Sequence, residues 1–422
     1  MKKNLTLSIL LISFLCFSQN NENGTLFIKS LLQEKDYEKA YSFFDDTVKS
    51  QLSQKNLEDT AQQLESQLGK FKSIIEIHSE KETTTYYYSD FDNLKLDIKI
   101  SFSANRKIIG FFFVPHREFY KEGGLGQNLN IKSTDIELKG TLLLPETGDL
   151  KKLVLFAHGS GPNDRDETIA ENKPFRDIAE SLYAKGIASY RFDKRTLSNP
   201  ESFKEKSTID DEVTNDIINI VHYFKQDTQF KDYEITVLGH SLGAYLLPRI
   251  ANESGQIAKI ILMAGNARPL EELVLEQYNY LYQASPTPTP EMKDALKKME
   301  EQIETLHSKT FSLSTPTEKL PLNLSAYYWK SLLDYNPIKE IQKTTIPILI
   351  LQGERDYQVS MKDFELWKTS LKSNPKATLL SYPKLNHLFM TGEKPSEPSE
   401  YLVKGKVDAG VIDDISHFIV EK

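Results

Sequence analysis

The sequence predicts an α/β protein with a doubly wound, mostly parallel sheet and a helical lid insertion, preceded by a small α+β domain. From about residue 128, short apolar segments rich in β-branched residues alternate with amphipathic helical segments, as in parallel strands joined by helices. In residues 20–117, helical segments come first and strand-like segments follow, which is typical of an α+β unit. The length of 422 residues also exceeds one typical domain, so we expect two.

The first 18 residues predict a secretory signal peptide. Two lysines precede a mostly apolar stretch, and the small residues Cys16 and Ser18 stand just before a cleavage site ahead of residue 19. A membrane anchor and a lipid anchor on Cys16 are the alternatives. The stretch is short for a full span, and Leu15 is large where lipoprotein processing prefers a small residue. We therefore expect a secreted or periplasmic protein with no stable membrane insertion after cleavage.

Composition and charge restrict the classes of function. The formal net charge of −8 and the absence of a basic stripe give no electrostatic reason to expect a nucleic acid partner. Cys16 is the only cysteine, so the mature protein would have no disulfide, cysteine nucleophile or thiolate metal site.

The predicted first domain, residues 20–117, has its own pattern of buried positions. Leu96, Ile98 and Ile100 alternate with polar residues, as in a strand with one buried face. Residues 118–127 are rich in glycine and predict a linker; no βαβ unit surrounds them, so a dinucleotide loop is not expected. The predicted elements are helices over 26–32, 37–52 and 57–68 and strands over 73–78, 83–88, 94–102 and 107–114.

The predicted second domain, residues 128–422, contains the alternating strands and helices. The carboxyl ends of its parallel strands would meet at one edge of the sheet, where loops can carry functional residues. The predicted elements are a hairpin over 131–144, strands over 152–157, 187–192, 235–238, 259–263, 346–351 and 377–382, and helices over 174–185, 209–224, 244–250, 361–371 and 411–420.

A long insertion separates two of these strands. Residues 266–340 include a helix with an apolar face that must pack on another part of the protein. An insertion on the carboxyl side of the sheet would lie over an active site, so we expect a lid; a peripheral helical decoration is the alternative. The residues that we expect to line an acyl pocket are Met292, Leu296, Met299 and Trp329.

A G-x-S-x-G pentapeptide stands between a predicted buried strand and a predicted helix. A one-residue corner there strains the backbone of Ser241 and pushes its side chain out at the carboxyl end of the sheet. The strand and the helix approach so closely that Gly239 and Gly243 have little room for a Cβ atom. The helix N-terminus leaves the N–H of Leu242 free to face an oxyanion. This context predicts a nucleophile at Ser241; a chance match in a chain with 19 glycines is the alternative.

A serine nucleophile needs a base, and the base needs an acid that orients it. In the chain order Ser, acid, His, three histidines follow Ser241, and His387 is the one in a loop directly after a predicted strand. His307 lies in the predicted lid before any suitable acid, and His417 lies in the last helix. We therefore predict His387 as the general base.

The acid and the second oxyanion donor are predicted from two other loops at strand ends. The strand before His387 ends in a loop that offers Asp356 as the acid, with Glu354 as the alternative. The loop over residues 158–166 is rich in glycine and can pass close to a substrate carbonyl, so the N–H of Ser160 is predicted as the second donor.

Other charged residues near these loops have structural interpretations. His158 comes early in the chain order, at a strand end, and we predict a structural role for it. Asp164 and Asp166 lack the clustered histidines or the loop pattern of a metal site, so no metal is expected. Residues 193–195, Asp-Lys-Arg, are predicted to form an ion-pair network.

Six segments, "HGSGPNDRDET", "NKPFRD", "RFDKR", "GHSLG", "GERD" and "LNHLF", together resemble the bacterial α/β-hydrolase group of secreted EstD-like carboxylesterases. The resemblance runs from about residue 128 to the C-terminus and includes serine aminopeptidase-like and acyl-CoA thioesterase-like relatives. It implies a triad on Ser241, Asp356 and His387. The first domain resembles a small α+β domain of unknown function found ahead of such hydrolases. One departure is the stretch after "RFDKR", where relatives often have a glycine.

The predicted function is that of a serine hydrolase that cleaves carboxylic esters through an acyl-enzyme on Ser241. The predicted partner is a small acyl ester, and no cofactor is expected. Thioester or peptide cleavage uses the same parts, so an acyl-CoA thioesterase and a serine peptidase are alternatives. A non-catalytic binding protein on the same fold is the alternative from another class.

Overall fold

The computed structural model describes residues 20–81, 83–114, 116, 125–393 and 395–421. The predicted signal peptide and most of the predicted linker lie outside these ranges. The chain divides into two compact units, one formed mainly by residues up to 121 and the other mainly by residues from 122 onward. Within the described ranges, no helix combines the length and apolar character needed to cross a membrane.

The first unit packs short helices against an antiparallel sheet with the strand order β1-β2-β3-β4. Its core combines helix residues such as Phe27 with strand residues such as Tyr87 and Ile98. The elements are α1 (20–28, continued by a π-helical stretch over Lys29–Glu34), α2 (Tyr37–Ser42), α3 (Asp46–Gln51), α4 (Gln54–Leu68), β1 (Phe71–Lys81), β2 (Thr84–Phe91), β3 (Lys95–Phe102) and β4 (Ile108–Val114).

The prediction of one helix over 37–52 is wrong, because the chain leaves the helix between α2 and α3. Phe44 forms an isolated bridge with Ile108 of β4, and the N–H of Asp45 donates to the Ile108 carbonyl at 2.9 Å. The Asp45 carboxylate then accepts the N–H of Thr47 and caps α3. A pairing that is distant in sequence therefore overrides the local helical pattern.

The second unit contains an eight-stranded sheet with the order β12-β11-β10-β9-β7-β8-β6-β5. The strands β8, β7, β9, β10, β11 and β12 run parallel, and β5 and β6 form the antiparallel end. The strands are β5 (Gln127–Ser133), β6 (Ile136–Leu143), β7 (Lys152–Ala157), β8 (Ala188–Phe192), β9 (Glu234–His240), β10 (Lys259–Met263), β11 (Ile348–Gly353) and β12 (Ala377–Tyr382).

Helices cover both faces of this sheet, which confirms the predicted doubly wound α/β class. One core includes Ile217, Leu246 and Trp367, and a second core on the other face includes Ile178 and Ile415. The helices are α5 (Pro174–Ala184), α6 (Arg195–Ser198), α7 (Asn215–Gln226, preceded by a π-helical stretch over Asp210–Thr214), α8 (Leu242–Ser254), α13 (Met361–Ser370) and α14 (Ala409–Val420).

A helical segment is inserted between β10 and β11, and we call residues 264–347 the inserted segment. It contains α9 (Leu270–Ala284), α10 (Pro290–His307), α11 (Ala326–Leu333) and α12 (Pro337–Ile341). The segment leaves the sheet at the carboxyl end of β10, which is the edge where β9 also ends.

Candidate active site

Ser241 occupies a one-residue corner between β9 and α8. Its backbone has φ 52° and ψ −116°, a left-handed φ that a serine rarely adopts. A Cβ atom on Gly243 would lie 2.1 Å from the carbonyl oxygen of Ala157. A Cβ atom on Gly239 would lie 2.6 Å from the backbone nitrogen of Ala244. Both glycines are therefore needed for the close approach that positions Ser241.

His387 and Asp356 contact each other across two neighbouring loops. Nδ1 of His387 lies 2.6 Å from Oδ2 of Asp356, and both side chains are buried. The backbone N–H groups of Gln358 and Val359 donate to Oδ1 of Asp356 at 2.8 and 3.0 Å. These bonds fix the carboxylate, so its other oxygen is held against the imidazole.

The alternative acid, Glu354, does not reach His387. Glu354 is exposed, and its carboxylate accepts a hydrogen bond from the Ser381 hydroxyl at 2.8 Å. The side chain of the residue two positions along the same loop, Asp356, is the one that turns inward.

Ser241 lies next to the loop of His387 without a direct hydrogen bond to it. The ring of His240, the residue before Ser241, lies 4.6 Å from the ring of His387, measured between centroids. Within the described ranges, the Ser241 hydroxyl makes no hydrogen bond. In ligand-free serine hydrolases this contact is often long and shortens only when substrate binds.

The loop over residues 158–166, which we call the oxyanion loop, lies beside Ser241. The N–H of Gly159 is occupied, because it donates to Oε1 of Glu167 at 2.6 Å. The N–H groups of Ser160 and Leu242 have no hydrogen-bond partner among the described residues, and both residues line the same pocket as Ser241. This placement leaves two backbone donors beside Ser241, an arrangement that could stabilise an oxyanion there.

Two side chains hold the oxyanion loop in place. Nζ of Lys194 donates to the carbonyl oxygens of Gly159 and Gly161 at 2.7 and 3.1 Å. Nδ2 of Asn163 donates to the carbonyl oxygens of Gly159 and Ser160, both at 3.1 Å. These bonds fix the carbonyl groups of Gly159, Ser160 and Gly161, and with them the backbone of the loop beside Ser241.

Lys194 is also paired with a buried carboxylate that leads to the inserted segment. Glu212 accepts from Nζ of Lys194 and from the hydroxyl of Tyr328 in α11. Burial and the Glu212 carboxylate raise the pKa of the Tyr328 hydroxyl well above its usual range, so the hydroxyl stays protonated. The predicted ion-pair network of residues 193–195 therefore includes a partner that also lines the pocket.

A pocket of about 480 Å³ opens at Ser241. This volume is within the range of small-molecule sites. Its walls are mainly apolar and come largely from the inserted segment. Its apolar lining residues include Phe203, Leu270, Leu273, Val274, Leu322 and Leu324.

The prediction of the residues that line the pocket is wrong. Met292, Leu296, Met299 and Trp329 are all missing from its described walls. Met299 is buried in α10, which packs against α9, and the Trp329 indole donates to the carbonyl of Pro321 at 3.0 Å. The aliphatic side chains of this segment that line the pocket come from α9 and from the chain before α11 instead.

The other charged residues near the strand ends have structural partners. The His158 ring packs against Phe175 and Phe192, and burial lowers its pKa to about 4, so it is neutral. Asp164 accepts from the N–H and the hydroxyl of Thr168, which closes a turn. Among the described residues, no group of three or more His, Cys, Asp or Glu side chains could hold a metal ion.

The sequence did not reveal two residues that join the loop of His387 to the oxyanion loop, His240 and Glu167. Nδ1 of His240 lies 3.0 Å from Oε2 of Glu167, and Nε2 of His240 donates to the carbonyl of His387 at 2.9 Å. The sequence did offer one signal, because Glu167 directly follows the glycine-rich oxyanion loop and His240 directly precedes Ser241. Their pairing depends on the fold, so the sequence alone could not show it.

Comparisons with known proteins agree with this architecture. A family model described as serine aminopeptidase, S33, matches residues 148–395, and one described as a protein of unknown function (DUF3887) matches residues 26–111. Esterase EstD from Thermotoga maritima is 32% identical over 424 residues, which covers 98% of each chain. The acylamino-acid-releasing enzyme from Rattus norvegicus is 36% identical over 70 residues, 16% of this chain and 10% of its own.

A solved structure, Est1E from Butyrivibrio proteoclasticus, aligns with a TM-score of 0.44 at 18% identity, over 70% of this chain and 98% of its own. The assignment itself comes from the family model, which spans more than half of the chain, and from the full-length similarity to Esterase EstD. These two findings confirm the predicted resemblance, and the chain belongs to the serine aminopeptidase S33 family of α/β-hydrolases.

Proposed function

We propose that this protein is a carboxylesterase-type serine hydrolase that cleaves carboxylic esters through an acyl-enzyme on Ser241. The observation that carries the proposal is the hydrogen-bonded pair of His387 and Asp356 near Ser241. The backbone of Ser241 has a strained positive φ, and this residue lines a mainly apolar pocket. The similarity to Esterase EstD along the full length of the chain supports an ester as the substrate.

The proposed acylation step uses each part of the site once. The Ser241 hydroxyl attacks the ester carbonyl carbon while its proton passes to Nε2 of His387. Asp356 holds the Nδ1–H of the imidazole and stabilises the imidazolium that forms. The N–H groups of Ser160 and Leu242 stabilise the oxyanion.

Deacylation repeats the chemistry with water. The tetrahedral intermediate collapses, and the leaving alcohol takes the proton from His387. Water then attacks the acyl group on Ser241 with His387 as general base, which releases the carboxylic acid and restores the hydroxyl. All of these steps can proceed without a cofactor.

The charges in the pocket favour an ester over a peptide with a free amino terminus. An aminopeptidase needs an unneutralised carboxylate to bind the substrate ammonium. Among the described lining residues, Glu212 is the one carboxylate, and it is paired with Lys194 and hydrogen-bonded to Tyr328. Its charge is therefore already compensated.

We further propose that the inserted segment acts as a lid that selects the acyl group. Its helix α9 contributes Leu270, Leu273 and Val274 to the wall of the pocket. These side chains suit a hydrocarbon chain, whose burial gives about 0.8 kcal/mol for each methylene group. The substrate class is thus a small ester with an apolar acyl part.

Export of the protein is proposed from the sequence alone. The charged start, the apolar stretch and the small residues before residue 19 support a signal peptide. Mass spectrometry of the protein secreted or released from the periplasm should give an N-terminus at Gln19. An intact N-terminus, or a lipid on Cys16, would contradict this localisation.

The test of the proposed function uses a fluorophosphonate probe and a substrate panel. The purified protein should form one covalent adduct, mapped to Ser241, and should hydrolyse p-nitrophenyl esters faster than acyl-CoAs or aminoacyl anilides. Ser241→Ala should abolish labelling and lower turnover by roughly 10⁴- to 10⁶-fold. An adduct on another residue, or faster cleavage of the anilides, would contradict the proposal.

A further inference from the structure

We propose that His240 and Glu167 act as one positioning pair that fixes the loop of the base and the oxyanion loop relative to Ser241. The inference rests on the proposed function, because it concerns the same catalytic groups. Neither residue needs to contact the substrate, because each acts by positioning His387 or the oxyanion loop.

His240 connects the nucleophile to the loop of the base. It is the residue directly before Ser241, and its Nε2–H donates to the backbone carbonyl of His387 at 2.9 Å. Its ring also lies 4.6 Å from the His387 ring. A change in the position of His240 would therefore move the base relative to the nucleophile.

Glu167 connects the same histidine to the oxyanion loop. Its Oε1 accepts the N–H of Gly159 at 2.6 Å, and its Oε2 lies 3.0 Å from Nδ1 of His240. Because the N–H of Gly159 is bonded to Glu167, it is not available to an oxyanion, whereas Ser160 lines the pocket and its N–H has no partner among the described residues. The carboxylate thus holds the start of the oxyanion loop beside Ser241.

The positively charged form of His240 fits its two contacts. Nε2 donates to the His387 carbonyl, and Nδ1 lies 3.0 Å from Oε2 of Glu167 as an ion pair that is not aligned as a hydrogen bond. Burial alone would lower the pKa of His240, but the Glu167 carboxylate and the His387 carbonyl raise it above its usual value. Burial would raise the pKa of Glu167, but His240 lowers it overall. The other titratable groups that act on the pair are Asp356, which favours the charged His240, and His158, which faces Glu167.

Burial of charge and backbone strain make the pair unfavourable as a purely structural contact. Both side chains are buried, at 5% exposure for His240 and 2% for Glu167, and buried ion pairs seldom add net stability. Glu167 also has a left-handed backbone with φ 54°, which strains a residue that is not glycine. Strain and buried charge at a junction of three catalytic loops are expected where positioning matters more than stability.

The experiment compares His240→Gln, Glu167→Gln and the double variant with the wild-type protein. Glutamine at 240 can keep an N–H donor for the His387 carbonyl but carries no charge. Glutamine at 167 can still accept the N–H of Gly159. Asp216→Asn is the matched control, because Asp216 is a buried carboxylate paired with Arg195 away from these contacts. The readouts are kcat and KM for a p-nitrophenyl ester, the pH profile of kcat/KM and the thermal midpoint.

Each single variant should lower kcat by about 10- to 100-fold, because small displacements of catalytic groups have effects of this size. KM should change by less than about threefold, and the double variant should be no worse than the poorer single one. In His240→Gln, the acid limb of the kcat/KM profile should move to higher pH, because a positive charge beside the proposed base is lost. The control should lower the thermal midpoint and leave the acid limb unmoved.

The inference is overturned if both single variants keep kcat within about threefold, or if their losses add in the double variant. An unmoved acid limb in His240→Gln, with lower activity explained by a lower thermal midpoint, overturns it as well. If the proposed function is wrong, the wild-type protein will give no fluorophosphonate adduct on Ser241. If the wild-type protein is labelled on Ser241 but the variants keep wild-type kinetics, the proposed function stands and only the positioning role of His240 and Glu167 is rejected.

Discussion

Replacing Asp356 by asparagine should reverse the tautomer of His387. Oδ1 of Asp356 accepts the backbone N–H groups of Gln358 and Val359, so the amide oxygen of asparagine must take that place. The NH₂ group then replaces Oδ2, which lies 2.6 Å from Nδ1 of His387 and 3.2 Å from Nε2 of Gln352. An amide that donates to Nδ1 leaves the proton on Nε2, where the base has to receive one.

The expected loss follows from that geometry. The nucleophile would have no acceptor for its proton, and the effect in serine triads of this kind is about 10⁴-fold in kcat, or about 5 kcal/mol of transition-state stabilisation. KM should change little, because Asp356 is buried behind the imidazole and does not line the pocket at Ser241. The opposed donors of the new amide and Gln352 should also lower the thermal midpoint.

The assay measures kcat and KM for p-nitrophenyl butyrate from pH 5 to 9, together with the thermal midpoint. Glu354→Gln is the control, because Glu354 is exposed and its carboxylate contacts Ser381. That variant should keep turnover within about threefold of wild type. Retention of more than about a tenth of the activity by Asp356→Asn, or equal losses in the two variants, would refute the assignment of the acid.

Three further predictions concern the pocket, the oxyanion loop and the stability of the second unit. Leu273→Trp should shift the preference from octanoyl toward acetyl esters by about 10- to 100-fold, because the larger side chain narrows the pocket of about 480 Å³ at its α9 wall, whereas Met292→Ala should leave the ratio unchanged. Lys194→Met should lower kcat by about 10²-fold, because the oxyanion loop loses the hydrogen bond from Nζ of Lys194. It should also lower the free energy of unfolding by about 3–5 kcal/mol, because the buried Glu212 loses its positively charged partner; urea unfolding that matches wild type would contradict this. His158 is buried with a folded-state pKa of about 4, below its unfolded value, so its neutral form is favoured by folding and stability is lost as pH falls from about 6.5 toward 4. His158→Phe should remove about 2 kcal/mol of that loss in urea titrations at pH 7 and pH 4.5, and an equal acid sensitivity of both proteins would reject the explanation.

Most of the fold could be predicted because its signals are local. The strands β7 and β12 have the bounds read from the sequence, since each is a short apolar run between turn residues. The helix prediction over 37–52 failed for the opposite reason. There the local pattern was continuous, and the break came from the pairing of Phe44 with Ile108, which no local pattern reveals.

The same distinction applies to the candidate site. The position of Ser241 was predictable, because the strand, the glycines and the helix that form its corner are adjacent in the chain. Chain order and strand ends then selected His387 and Asp356, which the structure places 2.6 Å apart. The lining of the pocket was not predictable, because an amphipathic helix such as α10 shows that one face is buried but not which partner buries it.

The contacts that hold the oxyanion loop are the least visible in the sequence. Lys194 was predicted to take part in an ion pair, but its partner Glu212 is chosen by the packing of the π-helical start of α7. Glu212 is in turn hydrogen-bonded to Tyr328, which is 116 residues away in the inserted segment. Each buried charge needs a partner, and only the assembled fold determines which one is in reach. The oxyanion loop is therefore tied to the wall of the pocket by polar contacts whose members, taken singly, look like ordinary surface residues.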